Sequence, residues 1–255
     1  MLILVHNGGF VSLDEEMPCM GLGPRCPPKS FLTMTSGFGL EQHTHVAAYS
    51  NNAMDFLYAT IQQRLGLGTN ADLDLVQVLF RWYLGGTHED DLDLRGQITG
   101  YGGGGLRMSA RDLARLGVLY LGRGMGRNTL SRQRAFDQKY GENAAWAQVP
   151  ADTPVTHTLA NQTNWNIVEL STALPYNNSG HTGRKDGFLG YSYGMWVIEN
   201  GVAFAMSGKK GNYVIVDWSA GLVIVILNHH DAHPPANRYL SVFRKAIRTR
   251  METVK

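Results

Sequence analysis

The sequence predicts an α+β fold in which helices come first and an antiparallel meander, closed by a final helix, comes last. Three observations predict it. Apolar residues recur at helical spacing over 52–65, 72–84 and 109–122. From Tyr191 onward, short β-rich runs alternate with turn residues such as Asn200-Gly201 and Ser219-Ala220-Gly221. Pro235 to Met251 then returns to helical spacing, with Leu240, Phe243 and Ile247 on one apolar face. Segregated helices and strands pack as helices against an antiparallel sheet.

Each element has a local reason. Residues 17–30 are punctuated by proline and glycine and predict a loop. A short helix is expected around Phe31 to Thr35, ending at Gly37. The 52–65 helix puts Met54, Leu57, Ile61 and Leu65 on one face, and Gly66 and Gly68 stop it. Asp72 to Leu84 is expected to turn Leu73, Val76, Leu79, Phe80 and Tyr83 inward. Residues 85–105 form a loop ending in four glycines. Ser109 can cap the next helix, with Asp112 three residues on in a capping-box arrangement and Leu113, Leu116, Leu119 and Tyr120 at core spacing. Residues 123–190 are polar and carry no regular pattern. Strands are expected at Tyr193–Glu199, Val202–Ser207, Asn212–Asp217 and Leu222–Leu227. Asn200-Gly201 suits a two-residue hairpin turn, which needs positive φ. The expected organisation is a single domain over 1–255, with a mainly helical lobe at 31–190 and a sheet lobe at 191–255.

Composition narrows the function classes. Of 255 residues, 44% are hydrophobic and 17% charged, enough to build a sizeable core. A net charge of +2 with no long basic run predicts no nucleic-acid footprint. The basic stretch Arg244 to Arg250 is explained as a solvated helix end that complements the macrodipole. No apolar run reaches membrane-spanning length. Met1 to Val5 has no basic flank or cleavage site, so it is not a signal peptide, and the compartment stays open. Cys19 and Cys26 bracket a loop and can either pair or remain two separate thiols. His229-His230-Asp231-Ala232-His233 holds metal-capable side chains, but without a partner cluster it is expected to be a solvated loop. No metal or cofactor is implied.

Three segments carry the chemistry: Tyr49-Ser50-Asn51 opening a helix, Gly102 to Gly117 spanning the four glycines and the capped helix, and Tyr193 to Val197 followed by Ser207 to Tyr213. In this order and spacing the chain resembles the serine β-lactamase and penicillin-binding-protein-like hydrolases. The nearest branch is that of class C β-lactamases, esterases and 6-aminohexanoate-oligomer hydrolases. The resemblance runs from Met1 to about residue 245 and is weakest between Asn128 and Gly190. It implies a β-lactamase/transpeptidase-like fold and hydrolysis of a small ester, amide or lactam through an acyl-enzyme. The family attacks with a serine in a Ser-x-x-Lys motif at a helix start. Met1 to Glu16 looks like the second half of that helix, which puts the expected serine about eight or nine residues before Met1. The expectation is therefore a truncated chain, without its N-terminal strands and inactive as it stands. The alternatives are a cleft kept for binding alone and a non-functional fragment.

The resemblance assigns roles residue by residue. Tyr49 would be general base and proton shuttle, its pKa lowered by neighbouring lysines, and Asn51 would bond the substrate or the catalytic lysine. Lys209 and Lys210 would supply the cation that stabilises the phenolate, on a strand at the sheet edge. Gly211 would let the substrate approach that strand, and the backbone near Asn212 would donate to the oxyanion. Gly104 would sit at the cleft rim. Lys210 departs from the family, which has a small residue there, and this puts lactam binding in doubt. Plainer readings exist for each motif. Tyr49-Ser50-Asn51 can be a helix entry capped by Ser50 or Asn51, and Lys209-Lys210-Gly211 can be an ordinary hairpin turn. Gly180-His181-Thr182-Gly183 matches the esterase form of the third motif but stands before the Tyr193 strand, so chain order argues against it. Ser207 begins the chain's Ser-x-x-Lys but falls at a strand end, not a helix start.

Overall fold

The computed structural model describes residues 28–32, 49–64, 108–121 and 187–253. Among them are four helices and one five-stranded sheet, an α+β arrangement. The helices are α1 (Pro28–Leu32), α2 (Asn51–Arg64), α3 (Ala110–Leu121) and α4 (Ala236–Thr253). The strands are β1 (Gly190–Ser192), β2 (Met195–Glu199), β3 (Ala203–Gly208), β4 (Asn212–Asp217) and β5 (Leu222–Ile226). They form an antiparallel meander in chain order, because each connection is too short to reach any strand but the next.

The ladder register decides which side chains share a face. Trp196 pairs with Ala205, Ala205 with Ile215 and Ile215 with Ile224, so these four lie on one side. Ala236 and Leu240 of α4 pack there, in a buried cluster with Phe188, Tyr191 and Tyr213. On the other side Phe204 and Val216 form a second cluster with Met195, against Tyr120 and Leu121 of α3. The sheet is thus covered by α4 on one face and by α3 on the other. Both faces being covered explains the near-continuous apolar runs of β4 and β5.

Two expectations change here. The strand expected over Tyr193–Glu199 is present as β2 but starts two residues later, because Tyr193 and Gly194 both have positive φ and make a tight turn after β1. Gly194 suits the turn, but tyrosine is a rare occupant of the left-handed region, so the dipeptide did not mark a hairpin in the sequence. On α3, Gly117 is buried directly against the sheet. A Cβ at Gly117 would overlap Val223, and the helix lies against β4 and β5 because none is there. Leu113 and Leu116 are only half-buried.

The expected cap on α3 is present. The Ser109 hydroxyl accepts from the Asp112 amide at 3.1 Å and donates to the Asp112 carboxylate at 2.9 Å. Asp112 is buried and pairs with Arg115 at 2.8 Å. Ser109→Ala removes a cap and one partner of a buried carboxylate, with an expected loss of about 1 kcal/mol in urea unfolding. An unchanged midpoint would mean that the cap contributes nothing.

On α4, Leu240 is buried as expected, but Phe243 is 42% exposed and does not belong to the core. No helix among the described residues is long and apolar enough to cross a membrane. The expected 72–84 helix, Cys19, Cys26, Gly104 and Gly180–Gly183 lie outside the described residues.

Candidate functional site

One end of the sheet gathers most of the chemistry. Antiparallel order puts the β1–β2 turn, the β3–β4 turn and the exit of β5 at the same end. The carbonyl of Leu32 at the end of α1 accepts from the Gly194 amide at 3.1 Å, tying α1 to this end. Tyr49 reaches the same region from the entry of α2. Its ring stacks on Trp196 at 5.7 Å and meets Tyr191 edge-on at 5.6 Å. Phe188 stacks on Trp196 at 5.1 Å and meets Tyr213 at 6.2 Å, so an aromatic row runs from Tyr49 across to β4.

Ser50 caps α2: its hydroxyl accepts from the Ala53 amide at 3.2 Å. The plainer reading of the Tyr-Ser-Asn triplet is therefore met by Ser50, which leaves Tyr49 just outside the helix with its ring on the sheet. Asn51 is the first helical residue and is exposed.

The surroundings of the Tyr49 hydroxyl favour its neutral form. Burial, and then the Asp55 carboxylate, push its pKa above the ordinary tyrosine value. Both disfavour phenolate, the opposite of what nearby lysines would do. Burial pushes Tyr191 up further, so the pair is neutral at physiological pH.

Lys209, Lys210 and Gly211 form the β3–β4 turn. This corrects one expectation, because β4 lies between β3 and β5, and the described sheet has its edges at β1 and β5. The hairpin reading of Lys-Lys-Gly therefore holds as local structure. Lys210 and Gly211 both have left-handed backbone, with φ of 66° and 73°. Lys209 is exposed. The Lys210 ammonium donates to the His229 carbonyl at 3.3 Å and lies 3.9 Å from the Asp231 carboxylate, so it is turned toward the β5–α4 connection.

The Tyr49 and lysine motifs share a sheet end without touching through the backbone. Asn212 lies two strands from Trp196 and three residues nearer the turn. At about 4.8 Å per strand and 3.4 Å per residue, the two backbone positions are roughly 14 Å apart. Between them the rings of Phe188, Trp196 and Tyr213 are buried, and Tyr49 is the partly exposed member of the row.

Asn212 is committed internally. Its side chain donates to the Lys209 carbonyl at 2.6 Å and accepts from the Asn228 amide at 2.8 Å. Gly211 is buried against His233, and Nδ1 of His233 shares a hydrogen bond with the Tyr213 hydroxyl at 3.2 Å. His233 is thus a packed residue, unlike the exposed His229 and His230 beside it. Sequence reasoning missed His233 and Asn228, since nothing in the local pattern separates them from a solvated loop. Trp196 had a signal, in the Tyr193–Val197 segment. Among the described residues, no three His, Cys, Asp or Glu side chains are grouped to hold a metal ion.

No protein-family model matches the chain, and no curated protein matches it either.

Proposed function

We propose that this sheet end is the substrate cleft of a serine β-lactamase-like hydrolase fold, and that it takes a linear amide or ester carrying a carboxylate. The observation that carries the reading is the meeting of two motifs distant in sequence at one sheet end, Tyr49 over Trp196 and the Lys209–Lys210–Gly211 turn. The partly exposed Tyr49 ring, backed by the buried Trp196, would hold the apolar part of the ligand, and Lys210 its carboxylate. Tyr49 serves as a hydrogen-bond donor, because its raised pKa keeps the hydroxyl protonated.

That protonated hydroxyl also favours a second reading, a cleft that binds without hydrolysing. Ser207 lies on β3 and Lys210 in the turn after it, so they do not share a helix face as an acylating Ser-x-x-Lys pair must. Fluorophosphonate and fluorescent penicillin probes are therefore expected to leave this chain unlabelled. Stoichiometric labelling would return the hydrolytic reading and locate a different nucleophile.

The binding itself is tested with 6-acetamidohexanoate, an inert linear amide with one carboxylate. NMR titration should move the Trp196 indole signal, and Tyr49→Ala should weaken binding about tenfold by removing a stacked, half-buried ring. A Trp196 signal that stays still at saturating ligand overturns the cleft.

A further inference from the structure

The Lys209–Lys210–Gly211 turn is held from outside itself, by one side chain at the end of β5. Asn228 Nδ2 donates to the Lys210 carbonyl at 2.9 Å and to the His230 carbonyl at 3.1 Å. Asn228 Oδ1 accepts from the His230 amide at 3.2 Å, and its own amide donates to Asn212 Oδ1. Asn212 in turn donates to the Lys209 carbonyl. One asparagine therefore joins the turn to the chain segment whose His229 carbonyl and Asp231 carboxylate engage the Lys210 ammonium. Both ends of Lys210, backbone carbonyl and amine, are referenced to the same four residues after β5.

Position 210 makes this coupling informative. At φ 66° a lysine is strained where glycine or asparagine would not be. Strain of this kind collects where a side chain has to be aimed. We infer that Asn228 is a positioning residue that sets the direction of the Lys210 ammonium and so the strength of carboxylate binding at the cleft. The inference rests on Lys210 being the carboxylate partner, as proposed above.

The test is a double-mutant cycle read with two ligands, 6-acetamidohexanoate and its uncharged N-methylamide. Asn228→Ala should weaken the carboxylate ligand about tenfold, the scale of one well-formed hydrogen bond to a charged group, and leave the amide unchanged. In a Lys210→Met background the Asn228 substitution should have no further effect. Asn228→Leu serves if the alanine variant does not fold, because it keeps the side-chain volume, adds no charge and loses both donations. Equal weakening of both ligands, or an effect that persists without Lys210, would assign Asn228 a merely structural role and overturn the inference while leaving the cleft in place. A Lys210→Met variant that binds the carboxylate as tightly as wild type would overturn the cation assignment and the inference together.

Discussion

Replacing Arg244 with leucine is expected to lower the unfolding free energy by about 3 kcal/mol. Arg244 projects from α4 onto the sheet and bonds Asp217 at 2.6 Å, and its guanidinium also engages both carboxylate oxygens of Glu199. Asp217 is fully buried, whereas Glu199 is about half exposed. The bond to Asp217 dominates the effect, because water can replace the arginine at Glu199 but not at Asp217. Oδ1 of Asp217 keeps its bonds from the Ser219 amide, the Ser219 hydroxyl and the Ala220 amide. Oδ2 would be left with a buried, unpaired charge. Denaturant unfolding of Arg244→Leu beside Arg244→Leu/Asp217→Asn separates the terms, since the double variant removes the stranded charge and should recover part of the loss. A single variant within 0.5 kcal/mol of wild type, the ordinary range for a surface change, would show that α4 is held by Ala236 and Leu240 alone.

The same carboxylate sets the acid limit. Burial raises the Asp217 pKa, but hydrogen bonds from Arg244 and Ser219 outweigh it, so the net shift is downward. A depressed carboxylate pKa stabilises the fold at pH values above the unfolded pKa of about 4. That stabilisation fades as pH falls through the lower folded value. The Arg244→Leu penalty should therefore be largest at neutral pH and shrink below about pH 4, where Asp217 takes up a proton.

The sheet was legible because its grammar is local. Short β-rich runs and glycine-bearing turns marked β3, β4 and β5 to within a residue or so, and the Ser109–Asp112 box marked the start of α3. The β1–β2 hairpin was not legible, because its turn puts a tyrosine where glycine or asparagine is expected. The position of β4 inside the sheet was missed too. Strand order is a tertiary fact, and the family pattern suggested an edge. The site divides in the same way. Tyr49, Lys210 and Gly211 could be picked out by motif, while Asn228 and His233 could not, because their partners lie 16 to 20 residues away in sequence. Even the electrostatics of Tyr49 escaped the motif. A tyrosine beside a lysine and a tyrosine packed between Trp196 and Tyr191 read alike in sequence, yet their pKa shifts have opposite signs.

Gly211→Ala should be the most damaging small substitution in the site, at about 3 kcal/mol. Two independent terms add to it. The backbone there sits at φ 73°, where any Cβ costs about 1–2 kcal/mol. The same Cβ would overlap the His233 ring, and overpacking of this kind adds about 1–3 kcal/mol. The ring cannot retreat freely, because His233 Nδ1 is bonded to the Tyr213 hydroxyl and lies 3.2 Å from the Pro234 carbonyl. Tyr213 itself is buried in the aromatic row below Tyr49. A methyl group at 211 should therefore be felt at Trp196 as well as at the turn. Thermal or urea unfolding measures the size of the effect, and Gly211→Ala/His233→Ala identifies its source. Measured against His233→Ala alone, adding Gly211→Ala should cost only the backbone part of about 1–2 kcal/mol. If it costs as much there as in the wild type, His233 is not what forbids a side chain at 211, and the packing of the turn against the β5–α4 connection has been misjudged.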